Sequence, residues 1–205
     1  MATLTTAIAP PSTHPAVIIP SLDLTLGYSD LAHLITSFQR TLASIGITPN
    51  SAVSLALPNN LEFIVGFLAV TAQRAVAAPL NPNYKQEEFE FYIDDIKSKI
   101  VIVPPGAVHA DAPAVRAARK FGAGIAEVQW DGRRREVVLD LKEKGSLGVG
   151  VGIAQAHEDD IALVLHTSGT TGRPKAVCAF FIYLLPSHEC SFASLRYCWL
   201  HCVVK

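Results

Sequence analysis

Between residues 21 and 166 the apolar residues recur in two alternating rhythms, one with helical spacing and one of short strand-like runs. Few architectures accept that order, because each helix stripe and each strand face must be buried. Their alternation builds a mainly parallel sheet flanked by helices, an α/β fold. Leu31, Leu34, Ile35, Phe38, Leu42 and Ile45 mark the first helix, with Ser29 or Asp30 as its cap and Gly46 placed to end it. A strand at 52–57 leads through Pro58, Asn59 and Asn60 into a second helix, Leu61 to Gln73, which is apolar nearly all round and therefore buried. Further strands are expected at 76–80, 99–103, 125–130, 136–141 and 161–166, and helices at 86–96 and 112–121. Asp131 and Gly132 suggest a hairpin turn, and residues 142–160 read as a glycine-rich flexible linker.

A chain of 205 residues, half of them apolar, with mean hydropathy +0.31, can bury a real core, and one domain is the default. Seventeen basic against eighteen acidic residues leave a net charge of −1. No global field then draws it to nucleic acid or to an anionic membrane. The first twenty residues carry four prolines and no basic segment, which argues against a signal peptide or a membrane span and reads as an extended lead-in, 1–20. All four cysteines, Cys178, Cys190, Cys198 and Cys202, fall after residue 177, so the body fits a reducing compartment and offers no disulfide framework.

The run Val164 to Lys175, VLHTSGTTGRPK, carries the chemistry. Thr167, Ser168, Thr170 and Thr171 supply hydroxyl donors, Gly169 and Gly172 let the backbone approach an anion closely, and Lys175 adds a point charge. Phosphate oxygens need such donors on every side, each charge-assisted bond being worth roughly 1.5 to 3 kcal/mol. A Walker-type loop is excluded: Pro174 stands where its second glycine belongs, and Ala176 follows the lysine where a hydroxyl residue is required. The glycines at 148–152 do not make a dinucleotide fingerprint either, since Ile153 and Gln155 occupy the positions that would need glycine.

The run resembles the AMP-binding signature of the adenylate-forming superfamily, which includes acyl-CoA synthetases, peptide-synthetase adenylation domains and luciferases. The stretches LPNNLEFIVGFLAV at 57–70 and AVAAPLNPNYKQEEFEFYIDD at 75–95 are similar to the N-terminal part of these enzymes, above all the oxalate-CoA ligase-like, peroxisomal-type acyl-CoA synthetases. The resemblance implies the N-terminal part of an acyl-CoA synthetase-like fold over 21–177, delivering the run at the carboxyl end of a strand. It implies a ligase that joins a small carboxylic acid to coenzyme A through an acyl-adenylate, using ATP and Mg2+. Thr167, Ser168, Thr170 and Thr171 would meet β- and γ-phosphate oxygens, Gly169 and Gly172 would shape the bend, and Lys175 would meet the phosphate charge. Such relatives work in the cytoplasm or the peroxisome. Residues 178–205 depart from the family pattern, and its later motifs have no counterpart here. The expectation is therefore a shortened, inactive form, with a non-catalytic fragment or weak nucleotide binder as the alternative.

Other residues have plainer readings. Arg133 to Arg135 form a solvated hairpin tip, and Asp94 and Asp95 are helix-end carboxylates facing solvent. His33 and His109 have no companion ligands, and His166 is the one histidine near the chemistry. His188, Cys190, Cys198, His201 and Cys202 are zinc-ligand types, but they lack a Cys-x-x-Cys pair and make no metal site.

Overall fold

The computed structural model describes residues 14–157, 159–167 and 175–180. Their elements run β1 (Pro15–Ile19), β2 (Leu24–Gly27), α1 (Tyr28–Ser44), β3 (Ala52–Leu55), α2 (Leu61–Ala72), β4 (Val76–Pro79), α3 (Gln86–Asp95) and β5 (Ile100–Val103). There follow α4 (Pro113–Lys120), β6 (Gly124–Asp131), β7 (Glu136–Glu143), β8 (Ile161–Thr167) and β9 (Lys175–Phe180). β1 and β2 make a small antiparallel hairpin, and the other strands form one sheet in the order β7-β6-β5-β3-β4-β8-β9. From β6 to β8 all neighbours are parallel, and an antiparallel partner closes each edge.

Strand alternation sorts the core into two layers. Val53, Leu55, Ile100, Ile102, Ala126 and Val128 turn toward α1 and α2, where they meet Leu34, Phe38, Leu42, Leu61 and Val65. Val101, Val103 and Ile125 turn the other way, onto Phe89 and Ile93 of α3 and the alanine-rich face of α4. All four residues of β5 are buried because both of its faces are covered, as a central parallel strand requires. The expected alternation from the first helix onward is therefore the fold, with boundaries shifted by a few residues, whereas the β1–β2 hairpin begins where only an extended lead-in was expected.

Two local expectations need correction. Neither Ser29 nor Asp30 caps α1: Gly27 is the N-cap, and Asp30, one turn in, accepts the Gly27 backbone N–H at 3.1 Å. Gly46 does end the helix, with φ +91°. Residues 142–160 are no flexible linker. Gly145, at φ +50°, lies so close to the 123–124 backbone that a Cβ there would stand 2.5 Å from the Ala123 carbonyl carbon. One on Gly150 would meet the Ser44 carbonyl oxygen at 2.7 Å. The glycines permit a tight strap, with Val151 N–H donating to the Ala43 carbonyl near the end of α1.

Two buried amides fasten that strap. Gln73 Nε2 donates to the carbonyls of Ile47 and Gly152, both at 3.1 Å, while its Oε1 accepts from Ala154 N–H at 3.1 Å. Gln39 Nε2 donates to the Ala72 and Ala154 carbonyls at 3.0 and 2.9 Å. At the start of α2, Asn60 Oδ1 accepts the Phe63 N–H at 3.0 Å, which satisfies a donor that the helix leaves open. Asn60→Ala is expected to lower stability by about 1 kcal/mol in urea unfolding, with Asn60→Gly costing only a few tenths.

Candidate functional site

Connections leave β3 and β4 for opposite faces of the sheet, α2 on one and α3 on the other. Where neighbouring parallel strands part in this way, a crevice opens beyond their carboxyl ends. Here it is an open cleft of about 460 Å³ lined by Leu57 to Asn59, Phe63 and Pro79 to Asn83. The turn residues Asn59, Asn81 and Asn83 bring amides to a wall otherwise made of proline, leucine and phenylalanine, and no charged side chain lines it. A smaller hollow of about 290 Å³ lies between α1 and the strap, near Ile35, Gln39 and Ile153. It adjoins the entry to β4, and the Gln39 amide is engaged in internal hydrogen bonds.

β8 neighbours β4 and runs parallel to it, so its carboxyl end reaches the same edge of the sheet as the cleft. The signature run begins there. Thr167, the last residue of β8, stands opposite Lys175, the first of β9, so the two ends of the hydroxyl-rich run form one rung. Ser168, Gly169, Thr170, Thr171 and Gly172 lie outside the described residues. The rung thus brings together a threonine and the lysine from opposite ends of the run.

The carboxyl half of β8 is anchored by a contact that sequence reading missed. Ala162 and Val164 are buried, Leu165 is 45% exposed, and the side chain of His166 is 5% exposed, so 162, 164 and 166 share the inner face of the strand. The His166 imidazole packs against Tyr92 and Phe91 of α3, with centroids 4.6 and 6.1 Å away, and its Nε2 lies 2.9 Å from Asp95 Oδ2. Asp95, expected to face solvent alone, is half-exposed and engaged, whereas Asp94 pairs with Lys97 at 2.5 Å. Burial, and next the neighbouring Tyr84 phenol, push the Tyr92 hydroxyl above its ordinary range, so it stays neutral. At the other end of β8, the Arg74 guanidinium holds the Asp160 carboxylate at 2.8 to 3.1 Å, and Asp160 also accepts the His157 N–H at 2.7 Å.

Arg133 and Arg134 do sit at a hairpin tip, where the Asp131 carboxylate accepts both their backbone N–H groups. Among the described residues no three His, Cys, Asp or Glu side chains gather as metal ligands. No described helix is long and apolar enough to cross a membrane. The zinc-type side chains at 188–202 lie outside the described residues.

Residues 5–192 match the family described as AMP-binding enzyme. The oxalate-CoA ligase of Saccharomyces cerevisiae is 36% identical over 190 residues, covering 79% of this chain and 34% of that protein. The oxalate-CoA ligase of Arabidopsis thaliana is 41% identical over 138 residues, covering 67% of this chain and 26% of its own length. The chain therefore spans about a third of these relatives or less. Among solved structures, ATP-bound MatB from Rhodopseudomonas palustris superposes with a TM-score of 0.66 at 23% identity, over 87% of this chain and 35% of that one. An inhibitor-bound N-terminal domain of FACL13 from Mycobacterium tuberculosis does so with a TM-score of 0.56 at 26% identity, over 79% and 39%. These likenesses confirm the mainly parallel sheet flanked by helices as the N-terminal architecture of adenylate-forming enzymes.

Proposed function

Because the chain belongs to the AMP-binding enzyme family, we propose that it supplies the phosphate-gripping part of an ATP-dependent carboxylic acid-CoA ligase. In this reading a carboxylate oxygen attacks the α-phosphorus of ATP, pyrophosphate leaves, and the thiol of coenzyme A then displaces AMP from the acyl-adenylate. Negative charge grows on the departing phosphates. Preplaced donors aimed at it lower the barrier without reorganising. Thr167, Ser168, Thr170 and Thr171 are the hydroxyl donors, Gly169 and Gly172 shape the bend, and Lys175 is the cation. The donor set fits a polyphosphate, with hydroxyls and an ammonium and no carboxylate between 167 and 175 to repel it. Mg2+, when it accompanies the nucleotide, neutralises part of that charge.

One observation carries the reading: the rung of Thr167 and Lys175 stands at the carboxyl end of β8, on the sheet edge that also holds the switch-point cleft. The same proposal takes 21–177 as the ligase segment, with 1–20 leading into it and 178–205 trailing, in a cytoplasmic or peroxisomal setting. A short carboxylic acid is the substrate class, and oxalate is the first acid to try because two similar proteins are oxalate-CoA ligases.

The test is to follow MgATP binding by calorimetry and pyrophosphate release with oxalate and a panel of short monocarboxylates. Saturable MgATP binding with acid-dependent pyrophosphate release supports the ligase. Binding without release assigns a nucleotide-binding role in place of catalysis. No binding at millimolar MgATP overturns the reading.

A further inference from the structure

We propose that Asp95 and His166 are a positioning pair: the carboxylate holds the imidazole so that β8 ends, and the phosphate-gripping run begins, at one fixed place beside the switch-point cleft. The inference rests on the reading of 167–175 as that grip.

Backbone bonding alone ties β8 loosely to the sheet. Among the described residues its parallel ladder with β4 registers a single pair, Ala77 with Leu163, whereas six pairs join β8 to β9. β9 is itself the outermost strand, so among the described residues the hairpin has one registered backbone pair to the body, beside the buried packing of Ala162 and Val164. Side chains supply the remaining attachment. Arg74 with Asp160 holds the entry to β8, and His166 with Asp95 holds its exit, one residue before Thr167.

The exit contact is built to fix direction as well as distance. Tyr92 and Phe91 confine the imidazole ring, its side chain is 5% exposed, and a 2.9 Å bond from Nε2 orients it on α3. An apolar side chain of similar volume would fill the space without that constraint. Positioned donors are sensitive to small displacements, and a misplacement of about 1 Å can cost on the order of a hundredfold.

Electrostatics and positioning predict opposite signs here, which makes the pair testable. Taking a carboxylate away from the neighbourhood of a polyphosphate should tighten binding by Coulomb attraction alone. A weakening in a variant that melts like wild type, restored in Asp95→Asn, reports lost placement. MgATP affinity is measured by calorimetry on the whole chain, well below its melting temperature, for wild type, Lys175→Ala, Asp95→Ala, Asp95→Asn and His166→Phe. Asp95→Ala and His166→Phe are expected to weaken affinity about five- to tenfold. Asp95→Asn, whose amide oxygen still accepts from Nε2, is expected to stay within about twofold of wild type or to bind tighter.

Unchanged or tighter binding in Asp95→Ala, beside a clear loss in Lys175→Ala, overturns the positioning role and leaves the phosphate grip standing. So does a loss in Asp95→Asn as deep as in Asp95→Ala. A wild-type chain that takes up no MgATP overturns both. His166→Phe provides the second arm should Asp95→Ala fail to fold.

Discussion

Lys175→Ala is expected to weaken MgATP binding by about ten- to a hundredfold, the equivalent of roughly 1.5 to 3 kcal/mol for one charge-assisted contact. Lys175 opens β9 opposite Thr167, so its backbone is held by the hairpin ladder whatever side chain it carries. The variant should therefore melt close to wild type while losing nucleotide, and calorimetry beside a thermal melt separates the two effects. Raising salt should also narrow the gap between the two proteins, since attraction between an ammonium and phosphate is screened over about 10 Å at 0.1 M ionic strength. A dissociation constant within twofold of wild type would remove Lys175 from the site.

The largest expected change in stability is in Gln73→Leu, at about 2 to 4 kcal/mol and a fall in melting temperature of roughly 5 to 15 °C. Leucine fills similar volume, so the loss is not one of packing. It comes from the groups left behind: the Ile47 and Gly152 carbonyls and the Ala154 N–H each lose the partner that the Gln73 amide provides. Gln73 is fully buried, as is Ile47, so water cannot simply replace the amide at that end. Thr36→Val is the comparison, because the Thr36 hydroxyl bonds within its own helix at the surface, and it should change stability by less than about 0.5 kcal/mol. A Gln73→Leu protein as stable as wild type would show that the strap does not need its amide fastening.

What could be read from the chain beforehand follows from how local the signal is. The stripe of Leu31, Leu34, Ile35, Phe38 and Leu42 declares its helix because its spacing is contained within one element. The uninterrupted Ile100 to Val103 declares a doubly covered strand for the same reason. The cap of α1 is hard to place from sequence because Asp30 has capping chemistry but sits inside the first turn, where its carboxylate accepts the backbone N–H of the N-cap Gly27. The strap was misread because glycine in sequence is ambiguous: it gives freedom in an open loop and close approach in a packed one. The deciding atoms, on Ala123 and Ser44, are remote in sequence. Asp95 went unrecognised since its partner lies 71 residues away, and nothing within α3 distinguishes it from Asp94. The donors of the signature run are contiguous and so visible in sequence, whereas the place of its two ends, Thr167 and Lys175, beside the cleft required the strand order.

That strand order also sets a schedule during synthesis. β8 inserts beside β4, yet β5, β6, β7 and the whole strap leave the ribosome between them. Until residue 161 emerges, β4 is a bare margin of Val76, Ala77, Ala78 and Pro79 with its hydrogen-bonding groups on offer. A nascent chain stalled within the strap should be captured by chaperones or should pair with its neighbours on a polysome. The strand that ends the exposure is also the one from which the signature run departs, so each molecule covers its open margin in the same late event that sets the start of that run beside the cleft.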